Sequence, residues 1–109
     1  MSLASDQLGD RLRPLLKGIA DAEKKMFGGM AFMLNGNMLI GTTAKGALLV
    51  RIDAAEVDEA IARGAEPMHM GPRVMTGFVS VAPARLPDDS SLKAWIAYSL
   101  KYVRTLPPK

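Results

Sequence analysis

The chain has 109 residues, 49% hydrophobic and 23% charged, with a formal net charge of +3, which is the size and composition of one domain with its own core. It contains no cysteine, which excludes disulfides, thiolate zinc sites and cysteine nucleophiles and fits a reducing cytoplasm. No apolar run approaches the roughly 18 residues of a membrane span, the start MSLASDQLGD carries no apolar signal-like stretch, and mild basicity alone argues only for weak attraction to nucleic acid.

The first segment, SDQLGDRLRPLLKGIA, places Leu8, Leu12, Leu15, Leu16 and Ile19 on one helical face. Ser5 is the expected N-cap, Asp6 suits the positive end of the helix dipole, and Pro14 is expected to kink or stop the helix before Gly18 breaks it. Next, KKMFGGMAFMLNGNM reads as an apolar strand with Gly28 and Gly29 in its middle. Glycine weakens a strand there, so a bulge, a close neighbour or a ligand must require it. Asn35-Gly36 is the preferred pair for a two-residue type I′ hairpin. That turn sets Leu34 opposite Asn37, Met33 opposite Met38 and Phe32 opposite Leu39. Gly41 then falls across from Met30, and the bulky group expected over these small positions is Trp95, the chain's only tryptophan.

Ala44 to Gly46 turns the chain into ALLVRI, extending a meander. Asp53 and Glu56 have the spacing of a capping box for a helix that buries Val57, Ala60 and Ile61 and ends at Gly64. EPMHM and VMTGFVSVA read as two strands around Gly71-Pro72-Arg73. The clearest helix is PDDSSLKAWIAYSLKYVRTL, capped by Asp88 or Asp89, with Leu92, Trp95, Ile96, Ser99, Tyr102, Val103 and Leu106 at helical spacing. The order α-β-β-β-α-β-β-α predicts one α+β domain over residues 1–109, an antiparallel sheet of about five strands with helices packed on it.

Candidate chemistry is sparse. A phosphate-cradling loop sets its glycines between a strand and a helix N-terminus, whereas Gly28-Gly29 run on toward a hairpin. Met26, Phe27, Gly28, Gly29, Asn35, Gly36 and Trp95 are therefore read as structural. His69 lies between Met68 and Met70, but successive strand residues face opposite ways, so Met68 and Met70 point one way and His69 the other and the three do not converge on a soft metal ion. Ser90-Ser91 with Asp88-Asp89, and Asp53 with Glu56, read as helix capping. No catalytic acid–base pair is left, so neither enzymatic activity nor a cofactor is expected. Lys24, Lys25 and Arg73 are candidate interaction residues, and Arg73 has the fork that holds a carboxylate or phosphate bidentately. No aromatic residue interleaves with these cations to stack bases.

Seven of the eight methionines fall in the predicted strands, and both sheet faces carry apolar side chains. Two apolar faces need two covers, which predicts a homodimer through Met33, Met38 and Ile40. A Met-rich face equally suits a protein partner, a small molecule or a metal.

Taken together, KKMFGGMAFMLNGNM, RGAEPMHM, VMTGFVSV and DDSSLKAWIAYSL resemble the TfoX/Sxy N-terminal domain family, from about Lys24 to the C-terminus. The resemblance implies a small α+β domain from a bacterium, and a regulatory or protein-interaction role in the cytoplasm. Better-known relatives are positive regulators of competence genes and carry a second, C-terminal domain, which this chain is expected to lack.

Overall fold

Asn35 has φ 54° and Gly36 φ 81°, the pair of left-handed residues that a type I′ turn requires. Around this turn the computed structural model, which describes residues 3–26, 29–70 and 72–108, builds an α+β domain. Its elements are α1 (Leu3–Leu16), β1 (Ala22–Met26), β2 (Gly29–Leu34), β3 (Asn37–Thr42), β4 (Leu48–Arg51), α2 (Val57–Ala62), β5 (Glu66–Met70), β6 (Arg73–Val81) and α3 (Asp89–Val103). The strands form one antiparallel sheet in the order β1-β2-β3-β4-β6-β5.

Six strands are thus seen among the described residues, where about five were expected. The added one is β1, because the run read as a single strand reverses between Met26 and Gly29, which are cross-strand partners. Phe27 and Gly28 lie outside the described residues. Past the Asn35-Gly36 turn, Leu34 faces Asn37 and Met33 faces Met38, but Phe32 then pairs with Ile40 and Ala31 with Gly41. The expected Phe32–Leu39 and Met30–Gly41 pairings are corrected by this bulge, in which Leu39 is the extra residue. Its consequence is a second correction. Leu39 and Ile40 are consecutive yet both belong to the core, so Ile40 does not share a face with Met33 and Met38.

One core cluster joins Leu8, Leu12 and Leu16 of α1, Ala60 of α2 and Leu92, Trp95 and Ile96 of α3 to Phe32, Ile40, Val50 and Val79 of the sheet. Cross-strand partners share a face, so Ala31, Gly41, Leu49 and Ser80 form a row on the opposite side. Ala31 (0% exposed), Leu49 (1%) and Met33 (7%) are nonetheless buried there. Part of the cover is local. A Cβ on Gly41 would stand 2.8 Å from Met38 Cε, so the Met38 side chain fills the space over the glycine. Met38, rather than Trp95, is the bulky group over that small position.

Helix ends follow their local chemistry with some changes. α1 begins at Leu3, so Ser5 lies inside it, and Pro14 is tolerated in its last turn. Asp53 caps a 3-10 turn, Ala54–Glu56, by accepting from the Ala55 amide. Glu56 does not complete a capping box; its carboxylate takes Lys101 Nζ at 3.1 Å. α2 then ends in a Schellman motif, with Gly64 N donating to Ile61 O and Ala65 N to Ala60 O. This short helix buries Ala60, while Ile61 is 39% exposed, against expectation. Asp88 caps α3 by accepting from the Ser91 amide, and Ser91 Oγ donates back to Asp88 O.

Candidate functional site

The outer strands of the sheet are β1 and β5. An outer strand presents unpaired backbone groups on one side, and lysines on it discourage indiscriminate pairing. β1 carries Glu23, Lys24 and Lys25, all exposed. Beside it, between β1 and the end of α1, lies an open cleft of about 450 Å³. Buried Leu16 and Phe32 line it together with Ala20 and Ala22, and Arg13, Lys17, Asp21 and Glu23 supply its charges. Arg13 Nε donates to Glu23 Oε1 at 3.0 Å, which ties α1 to β1. This pair holds the Arg13 proton more tightly than usual. The arrangement offers a partner an apolar hollow, charges of both signs and a strand edge.

The expected interaction residues do not converge. Lys24 and Lys25 sit on β1 and Arg73 on β6, four strands apart, or about 19 Å at the usual strand spacing. Arg73 is exposed opposite Met70 at the start of β6. Among the residues expected to build a dimer face, Met33 and Ile40 are buried within one chain and Met38 is partly buried. His69 pairs with Val74 on the outer edge of the sheet. No group of three histidine, cysteine, aspartate or glutamate side chains able to hold a metal is found among the described residues. No helix of the described residues is long and apolar enough to cross a membrane.

The glycines have physical neighbours. A Cβ on Gly29 would collide with the Thr42 carbonyl oxygen on β3, and the adjacent Met30 amide donates to Thr42 Oγ1 at 3.0 Å. Gly29 therefore marks a close approach of two strands. Gly28, its sequence neighbour, lies outside the described residues.

The match to known families covers residues 15–103, from the end of α1 through the whole of α3, and its description is TfoX N-terminal domain. The chain belongs to the TfoX N-terminal domain family. The matched residues of this TfoX N-terminal domain include all six described strands, the close approach at Gly29 and the β1 cleft apart from Arg13 and Pro14. No curated protein and no solved structure matches the chain significantly.

Sequence reasoning passed over Arg51, Arg63, Arg85 and Tyr98. Arg51 stacks on Phe78 (4.9 Å to the ring centre) and on Tyr102 (5.5 Å), while Arg63 lies over Tyr98 at 4.7 Å. A helical count does place Tyr98 beside Trp95 and Ser99, but nothing local says that an arginine from α2 will cover it.

Proposed function

We propose that this TfoX N-terminal domain is a non-enzymatic protein-interaction module in regulation, and that β1 with its adjoining cleft receives an extended segment of a protein partner. The observation that carries the reading is the pairing of a free strand edge with a 450 Å³ hollow lined partly by Leu16 and Phe32. Strand addition gives affinity through main-chain hydrogen bonds, and a neighbouring hollow gives specificity through the side chain it accepts. Family membership supports the regulatory class, and a cytoplasmic setting agrees with a chain free of cysteine. A ligand-binding Met-rich face has less support, because Met33 is buried. Direct binding to DNA ranks lower again, with its candidate cations spread across the sheet.

The test is affinity capture from the native cell, comparing the wild-type chain with Lys25→Pro and Glu23→Arg. Proline removes a backbone donor from β1, and the arginine breaks the pair with Arg13. Proteins retained by the wild type and lost from both variants, with thermal melts preserved, are the expected result. Capture of the same proteins by all three chains would overturn the assignment to β1.

A further inference from the structure

A second cleft, of about 270 Å³, lies between the end of α2, the 3-10 turn Pro83–Arg85 and α3. Its lining is Arg63, Arg85, Ser91, Ala94, Trp95 and Tyr98. Two aromatic rings and two guanidinium groups thus meet around a space slightly smaller than the about 300 Å³ at which small-molecule sites begin.

The aromatic part is built by α3. Residues three apart on a helix are neighbours, and the Trp95 and Tyr98 rings meet at 5.7 Å with an interplanar angle of 45°. Both are more than nine-tenths buried, yet each contributes to the wall. The Tyr98 hydroxyl is buried and has no hydrogen-bond partner.

The cationic part comes from two other elements. Arg63, the C-cap of α2, lies over the Tyr98 ring and reaches Glu59 at 3.3 Å. Arg85 crosses Gly64: a Cβ there would stand 2.8 Å from one of its terminal nitrogens and 3.2 Å from Cζ. Gly64, at φ 106°, ends α2 and leaves Arg85 its seat. Nearby acids are engaged elsewhere, Glu56 with Lys101, Asp88 with the Ser91 amide and Asp89 with Arg11. Arg85 makes no ion pair among the described residues. A guanidinium fork without an acid partner, set beside an aromatic wall, is complementary to a carboxylate carried on a ring.

We propose that this cleft binds a small aromatic carboxylate, with Arg85 and Arg63 holding the acid group and Trp95 and Tyr98 packing against the ring. The site is independent of the β1 edge and lies on different elements. Binding here would bear on the junction of α2 with α3, which Arg63 and the Glu56–Lys101 pair already bridge.

Trp95 is the only tryptophan of the chain and lines this cleft, so its emission can follow binding there. Titration with benzoate is expected to change that emission saturably. Arg85→Gln and Arg63→Gln, both at exposed positions, are expected to weaken the response about tenfold or more while melting like the wild type. Benzamide, which has the same ring and no charge, is expected to give no saturable change. An equal response to benzamide, an unaltered affinity in Arg85→Gln, or saturable binding of inorganic phosphate without benzoate would each overturn the proposal. A loss of folding in either variant is read out by its melt, and Arg85→Lys then supplies the comparison, since lysine keeps the charge and loses the fork.

Discussion

Two glycines with neighbours of different kinds show how much a single methyl group is worth. At Gly29 the obstacle is the Thr42 main chain, which cannot move without pulling β3 off β2. Gly29→Ala is therefore expected to cost about 1–3 kcal/mol, the range of forced overpacking. At Gly9, inside α1, a Cβ meets only the Met30 side chain, with Sδ at 2.9 Å and Cε at 3.9 Å. A thioether yields easily, and alanine favours the helix by about 0.5–1 kcal/mol, so Gly9→Ala is expected to be neutral or stabilising. Urea melts of the two variants check both signs. Tyr98 gives a third expectation. Burial, then Glu56 and Glu59, raise its pKa above the ordinary value, which is about 10. The neutral phenol is favoured in the folded state, so this contribution is complete below pH of about 10 and is lost as pH rises through the raised value. Tyr98→Phe also removes an unpartnered buried hydroxyl. It is expected to match or exceed wild-type stability at neutral pH and to flatten the alkaline limb of a stability–pH curve. An alkaline limb as steep as the wild type's would assign that loss to another group.

Between elements, the decisive contact is Ser99 of α3. Its Oγ lies 2.7 Å from Leu39 O and 2.6 Å from Arg51 O, just beyond Ile40 and Val50, where the β3–β4 pairing ends and beside the bulge of β3 on β2. A hydroxyl has one proton to donate, so it serves the two carbonyls in turn. Ser99→Ala leaves both without it, and a loss of about 1–3 kcal/mol is expected in chemical denaturation. Much at this scale is legible in the sequence: Asn35-Gly36 fixes the hairpin, Asp88 caps α3, and the spacing of Leu92, Trp95, Ile96 and Ser99 marks its inner face. The bulge is not legible, because Leu39 is an ordinary strand residue and the group that uses its carbonyl lies 60 positions away. β1 is hidden for another reason. The charges that protect an outer strand are the same charges that make AEKKM look like a solvated approach to a strand. The arginine cleft is illegible likewise, since Arg63, Arg85 and Tyr98 come from three elements and carry no shared spacing.

For the whole molecule, the two-faced sheet bears on assembly. Met33 and Ile40 are covered within the chain, so an interface on that side has Met38 to offer and little else of the expected trio. Met38→Lys is accordingly expected to leave the mass in sedimentation equilibrium unchanged at tens of micromolar. A mass that falls by half in the variant would instead place a dimer contact at Met38. The strand order carries a different consequence, concerning time. From β1 to β4 every strand pairs with its successor, within residues 22–51, whereas β4 must wait for β6, and α3 comes later still. Contacts between near neighbours close small loops and form early. Pulse-labelled hydrogen exchange should accordingly find amides of the β2–β3 hairpin protected before those of the β4–β6 pair. The meander can therefore settle its register before β6 and α3 join it, and Ser99 then arrives at a bulge already waiting for it.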